Sequence, residues 1–181
     1  MRAADLPEYL QTHRATPQMR RVRFGLRERL AVVPVEIVHG LLPLAITAVV
    51  AFFLGGLYAA LAAVAAILAG IVLFPILLPW LPTRDFSSKG FILGALVALP
   101  FVLVKLLGSV DVAWWLRVGR ALAFLLIWPP VTAFLALNFT GSTTFTSRSG
   151  VRREIFTYIP IMAWTFGLGL VLNLALFFVR G

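Results

Sequence analysis

The sequence predicts an all-α polytopic membrane protein, in which a short basic amphipathic N-terminal segment leads into a bundle of five transmembrane helices. Hydrophobic residues make up 61% of the 181 residues and charged residues 13%, and the mean hydropathy is +0.97. These values lie outside the range of soluble globular proteins. The apolar residues also form blocks about as long as a bilayer crossing, without strand-like alternation. Within such a block, a helix satisfies every backbone hydrogen bond.

The N-terminal segment, residues 1–33, is polar and basic and lacks the apolar core of a cleaved signal peptide. Pro7 and Pro17 each closely follow a capping residue, so two short helices are expected. In the second, apolar residues recur at helical spacing among arginines, which is typical of a helix lying on a membrane surface. A solvated basic linker is the alternative, because Gly25 weakens the helical pattern. The arginines are Arg20, Arg21, Arg23, Arg27 and Arg29.

Five apolar spans form the predicted membrane domain, residues 34–181, and each is near the length that a helix needs to cross hydrocarbon. Gly55 and Gly56 leave room for only a tight connection, so the first two spans are expected to form a helical hairpin. Residues 109–120 mix tryptophan with arginine, which is typical of the headgroup layer. The spans cover residues 35–54, 57–81, 90–108, 121–138 and 155–179.

The distribution of Lys and Arg predicts the orientation. Residues 1–33 contain seven, the 82–89 loop two and the 138–154 loop three, whereas the opposite side has Arg117, Arg120 and Arg180. The positive-inside rule therefore places the N-terminus in the cytoplasm of a multi-pass protein of the cytoplasmic (inner) membrane. The net charge of +9 comes largely from arginines beside apolar spans. Lipid headgroups, and not nucleic acid, are the expected anionic partner.

Small residues recur every fourth position in the second and third spans, a spacing that lets helix backbones approach closely. Packing between helices of one chain is the favoured interpretation, and a homodimer seam is the alternative. Pro129 and Pro130 remove two backbone donors in the fourth span, which predicts a kink and leaves a cavity there as a less favoured possibility. The small residues are Ala62, Ala66, Gly70, Gly90, Gly94 and Ala98.

Three polar features within the spans are candidates for function. Glu36 and His39 share a helical face, but no second such pair exists to complete a metal site, so an interfacial pair or a contact between helices is preferred. Lys105 lies near the outer end of its span, from which a lysine reaches the interface; a buried counter-ion or substrate contact is the alternative. The chain has no cysteine, so it offers no thiolate nucleophile or cysteine metal site.

The 138–154 loop is the most polar long stretch after the N-terminal segment. Its hydroxyl, glycine and arginine residues are able to cradle an anion, but the phosphate-binding P-loop spacing is absent. A solvated loop between helices, with arginines at the headgroups, is the simpler interpretation of these residues.

The stretch "LNFTGSTTFTSRSGVRRE" resembles the loop before the last membrane helix of the mercury-methylating corrinoid proteins, a family related to the corrinoid protein of acetyl-CoA synthase. The segment "TPQMRRVRFGLRERLAVVPVE" is similar to that family's entry into its first membrane helix. The resemblance covers the chain from Thr16 to its end. It implies a methyltransferase that transfers a methyl group from corrinoid cobalt to inorganic mercury(II).

The resemblance also implies partners: a cytosolic corrinoid (cobalamin-type) domain and a ferredoxin-like iron-sulfur protein. The family's cobalt-coordinating cap-helix cysteine has no counterpart here, so no catalytic, cofactor or metal residue is expected in this chain. The chain is expected to be a fragment or a separately encoded membrane half. The loop is the implied cytoplasmic docking surface, made by Asn138, Thr140, Gly141, Thr143, Thr146, Arg148, Ser149, Gly150, Arg152, Arg153 and Glu154.

Two classes of function remain open at this point. The first is a membrane-anchoring and docking domain of a mercury methyltransferase. The second is a small independent transporter or channel, for which Lys105 and the kinked fourth span are pathway elements. A membrane enzyme with its own active site is the least favoured class, because no convincing nucleophile, base or metal constellation is present.

Overall fold

A computed structural model describes residues 3–20, 25–108, 112–142 and 148–179. In these residues the regular structure is entirely helical. Short 3₁₀ turns cover Ala3–Asp5 and Phe139–Ser142, and one π-helical turn covers Ala69–Leu73. The α-helices are α1 (Leu6–Thr12), α2 (Leu26–Leu68), α3 (Phe74–Leu77), α4 (Phe86–Leu107), α5 (Trp114–Asn138) and α6 (Arg148–Phe178).

The N-terminal segment differs from its prediction. Helix α1 begins beside Pro7 as expected, but residues 17–20 form turns and α2 starts only after Gly25. From there α2 continues through residues 33 and 34, so no break in structure separates the basic segment from the first span. The arginines mark where the chain changes from polar to apolar, but no helix ends at that point. Residues 21–24 lie outside the described ranges.

Helix α2 reverses direction at Gly56, as the hairpin prediction requires. Gly56 has φ 75° and ψ −168°, a conformation that is essentially restricted to glycine. The Arg29 side chain bonds to the Pro75 carbonyl, 46 residues away; an unbroken helix would separate the two by about 69 Å. We call residues 26–55 the first arm and residues 57–77 the second arm.

The two arms, α4, α5 and α6 run alternately in opposite directions. The contacts of Arg29, Ser87 and Glu154 define one end of the molecule, which we call the basic end. The contact of Lys105 with Tyr58 lies at the other, which we call the turn end. The segment Leu26–Leu77 and helices α4, α5 and α6 are long and apolar enough to cross a membrane, as expected for an integral membrane protein.

Helices α4, α5 and α6 begin earlier than their predicted spans, and α6 starts at Arg148 and not at 155. Helix α5 starts at Trp114 and not at 121, and α4 starts at Phe86 and not at 90. The tryptophan and arginine residues assigned to a headgroup connection therefore all lie in α5. Side-chain polarity marks the edge of the bilayer, whereas helices end where their backbone hydrogen bonds end.

The small residues pack helices within the chain. A Cβ added to Gly90 would lie 2.6 Å from the Ala133 Cα, and one added to Gly94 would lie 2.7 Å from the Pro129 Cα. Gly70 approaches the Leu135 side chain equally closely. The most extensive contact in the fold joins α4 to α5. The helix faces that carry these glycines therefore contact α5 of the same chain, which favours packing within one chain over a homodimer seam.

Helix α5 continues through Pro129 and Pro130 despite the two missing donors. Thr132, one turn later, is fully buried, and its hydroxyl donates to the Ala66 carbonyl at 2.9 Å. This bond ties the proline region to the second arm. The core around it contains mostly small side chains, with Phe124 and Trp128 as the large exceptions.

Candidate functional site

Buried polar side chains gather at the basic end. Arg29 is 8% exposed, Ser87 0%, Thr140 4% and Glu154 7%. They come from the first arm, α4, the turn after α5 and α6. A buried polar group without a partner is unfavourable, so the contacts of these residues are informative. The Ser87 hydroxyl has no hydrogen-bond partner among the described residues.

Helix α6 holds the start of α4 through two hydrogen bonds. The backbone N–H of Ser87 donates to a Glu154 carboxylate oxygen at 2.5 Å, and the Tyr158 hydroxyl donates to Asp85 at 3.0 Å. Glu154 and Tyr158 are one helical turn apart, so both face α4. We call these four residues the α4 clamp.

The clamp replaces the usual local cap of a helix. Asp85 is the N-cap residue of α4, but its side chain makes no capping hydrogen bond; it accepts the Tyr158 hydroxyl. Glu154 supplies the missing acceptor from another helix. Its carboxylate also lies at the positive end of the α4 dipole, where a negative charge is stabilised.

The turn before α4 is tied down by its own side chains. The Ser88 hydroxyl donates to the Asp85 carbonyl at 2.9 Å and lies 2.8 Å from the Thr83 hydroxyl. The Lys89 ammonium donates to the Leu78 carbonyl at 3.0 Å. These bonds give the clamp a defined backbone on the α4 side.

Arg29 performs the complementary task for the second arm. Its guanidinium donates to the carbonyls of Pro75 at 3.1 Å and Ile76 at 2.9 Å. These carbonyls lie where the second arm ends, and a cation is favourable at the C-terminus of a helix. Sequence reasoning placed Arg29 among surface arginines. The available signal was its spacing of four from Val33, which is also buried.

Aromatic rings lie within the same end of the bundle. The Phe74 ring is 5.8 Å from Phe86 and 6.0 Å from Phe139, centroid to centroid, and all three residues are buried. They belong to the second arm, the start of α4 and the turn after α5. The basic end is therefore packed as well as hydrogen-bonded.

Among the residues of the predicted docking loop, two are buried and five are exposed. Thr140 and Glu154 are buried, and Glu154 holds α4 in place. Gly141 lies in the 3₁₀ turn and Arg148 begins α6, while Thr143 and Thr146 lie outside the described residues. The exposed residues are Asn138, Ser149, Gly150, Arg152 and Arg153.

Glu36 and His39 line a lateral cavity of about 590 Å³ between the first arm and helices α5 and α6. Glu36 is half-buried and His39 is exposed. Across the described residues, no group of three His, Cys, Asp or Glu side chains is placed to hold a metal ion. The apolar part of the wall includes Pro43, Ile71, Pro130, Phe134, Met162 and Phe166.

Two smaller cavities continue along the same side of the first arm, which we call the seam. One of about 90 Å³ shares Thr47 and Phe166 with the lateral cavity. The other, of about 80 Å³, lies at the turn end and is lined by Lys105, Arg120 and Asn173 among others. The seam thus joins a carboxylate near one end to two cations near the other.

Lys105 contacts aromatic rings from two different segments. Its ammonium lies 5.6 Å from the ring centroids of Tyr58 and of Phe124. Cation–π contacts of this length stabilise a lysine that is partly removed from water. Lys105 therefore contributes to packing at the turn end as well as to the 80 Å³ cavity.

Comparisons of the chain with protein-family models, curated proteins and solved structures find no match. The likeness of the 138–154 loop to mercury-methylating corrinoid proteins therefore remains a hypothesis from the sequence.

Proposed function

We propose that this chain is the membrane-anchoring and docking domain of a corrinoid-dependent methyltransferase that methylates inorganic mercury(II). The corrinoid belongs to a cytosolic domain outside this sequence. The proposal rests on the resemblance of the 138–154 loop. It is supported by the way that the described loop residues divide into a buried anchor and an exposed basic surface.

The proposed topology has five membrane crossings, with the basic end in the cytoplasm of a cell with an inner membrane. The two arms of the hairpin count as two crossings, and α4, α5 and α6 provide the other three. The excess of Lys and Arg in residues 1–33 and in the 82–89 and 138–154 loops supports this orientation.

Docking on this surface requires a fixed support beneath exposed contact groups. Glu154 supplies the support, since its bond to the Ser87 N–H fixes the start of α6 against α4. Arg152 and Arg153, in the same helical turn, are exposed. Guanidinium groups pair well with carboxylates, so an acidic face on the corrinoid domain or on its ferredoxin-like partner suits this surface.

The test is mercury methylation by cells that carry this chain with its corrinoid and iron-sulfur partners. Replacing Arg152 and Arg153 together by alanine is expected to reduce methylmercury formation while leaving membrane insertion intact. Arg14→Ala, which removes an exposed arginine outside the loop, is the matched control. Unchanged methylation by a correctly inserted double variant would reject the docking role.

The gene itself offers an independent test. DNA upstream of the Met1 codon that continues in frame into a corrinoid domain with a tryptophan-cysteine cap helix would support the proposal. A stop codon and a ribosome-binding site before Met1, with no corrinoid gene nearby, would reject it.

A small transporter is the second candidate, and the linked cavities favour it. They follow the seam of the first arm from Glu36 to Lys105 and include Pro130 of the double-proline region. A flux assay in proteoliposomes separates the two functions. Transport by the chain alone, unaffected by changes to Arg152 and Arg153, would favour the transporter over the docking domain.

A further inference from the structure

The lateral cavity has the size and lining of a ligand site. Its volume of about 590 Å³ falls in the range of roughly 300–1,000 Å³ typical of small-molecule sites. Apolar side chains form most of its wall, and polar side chains, including Glu36, His39 and Asn138, lie toward its basic-end portion. A long apolar part beside a small polar part matches an amphiphile.

The surroundings determine what fills the apolar part. The first arm makes no extensive contact with α6, so the cavity lies in a gap between two helices whose outer faces are apolar and exposed. At about 30 Å³ per molecule, filling it would take about 20 waters, most of which would find no polar partner on the protein wall. Leaving it empty would forfeit dispersion contacts. A hydrocarbon chain from the membrane fills the cavity without needing polar partners and makes the dispersion contacts that an empty cavity lacks.

The charge of the lining determines the headgroup. Glu36 is the only acidic residue among the described lining residues, and these include neither Lys nor Arg. Within the described part of the chain, the Glu36 carboxylate has no hydrogen bond or ion pair, although it is half-buried. A carboxylate in an apolar setting is stabilised by a cation, and His39, one turn away, is able to add a hydrogen bond to a polar head.

We propose that the lateral cavity binds a single-chain amphiphile with an ammonium headgroup, with the ammonium at Glu36 and the alkyl chain extending past Thr47 toward Phe166. Binding at this site requires neither a corrinoid partner nor transport, although the cavity is one of those that favour the transporter. Its test measures binding alone.

Native mass spectrometry of the full chain, released from a neutral detergent, provides that measurement. The probe is tetradecylammonium; tetradecanol and tetradecyl sulfate have the same chain with a neutral and an anionic head. We expect one saturable tetradecylammonium adduct and weaker binding of the other two. Equal binding of all three would show a site for alkyl chains only and overturn the assignment, as would the absence of a saturable adduct.

Variants locate the site. Glu36→Gln is expected to weaken tetradecylammonium binding about tenfold or more, as expected when a charge-assisted contact is lost. Glu8→Gln, at an exposed position in α1, is the matched control. Ala163→Phe should exclude the chain by filling the cavity, whereas Ala175→Phe, outside the three cavities described above, should not.

Equal affinities of the Glu36 and Glu8 variants would overturn the proposal. The comparison of headgroups on the unmodified chain tests the proposal even where a variant fails to fold. Loss of mercury methylation without loss of this binding, or the reverse, distinguishes the site from the docking function.

Discussion

Replacing Glu154 by alanine should destabilise the protein by removing the cap that α6 provides for α4. The residue lost is 7% exposed, and its partner Ser87 is fully buried. After the change, the Ser87 N–H has no carboxylate to donate to, and water does not reach it. The neighbouring acceptor among the described residues is the Asp85 carboxylate, which makes no capping hydrogen bond and whose Oδ2 is held by the Tyr158 hydroxyl.

The magnitude follows from the kind of bond. A hydrogen bond to a charged acceptor contributes about 1.5–3 kcal/mol, and the favourable position at a helix N-terminus contributes about 0.3–1 kcal/mol, part of which is the same interaction. Removing a desolvated carboxylate acts in the opposite direction. The buried, unpaired N–H outweighs this relief, so we expect a loss of about 2 kcal/mol for Glu154→Ala. Glu154→Gln keeps an acceptor oxygen and should lose roughly half as much.

The assay is reversible unfolding in mixed micelles of neutral detergent and dodecyl sulfate, followed by tryptophan fluorescence. Arg153→Ala, at the adjacent exposed position, is the control and should stay within about 0.5 kcal/mol of the unmodified protein. A Glu154→Ala variant as stable as this control, or more stable than the unmodified protein, would refute the capping role. Tyr158→Phe in both backgrounds measures the coupling across the clamp.

Two further predictions concern packing and burial elsewhere. Gly94→Val places a Cβ 2.7 Å from the Pro129 Cα, which forces α4 away from α5 and should lower the free energy of unfolding by about 1–3 kcal/mol. Gly167→Val, whose added Cβ meets nothing within 4 Å, is the control and should not lower it. Equal unfolding curves of the two variants in the same micelles would contradict this prediction. Arg29→Met leaves the Pro75 and Ile76 carbonyls without their donor and should lower the free energy of unfolding by about 1–3 kcal/mol. The rate of amide hydrogen exchange should rise near residues 75–81. Unchanged exchange together with unchanged stability would contradict the role of Arg29 as a cap of the second arm.

The sequence alone determined the features that depend on neighbours along the chain. Its apolar blocks predicted membrane-length helices, and Gly55 with Gly56 predicted the hairpin that Gly56 forms. The separation of four residues between Gly90 and Gly94 predicted a helix face for close packing. Each of these signals is local, because helix formation, turn conformation and helix faces depend on residues a few positions apart.

Only the tertiary structure decided which polar groups are buried and what they contact. Arg29 and Arg27 look alike in the sequence, yet Arg29 is buried against carbonyls 46 and 47 residues later. Glu154 looks like one more loop residue, yet it bonds to a backbone N–H 67 residues away. The lateral cavity likewise exists only because the first arm and α6 stand apart. Such features arise where helices meet, and periodicity along one helix carries no information about its partner.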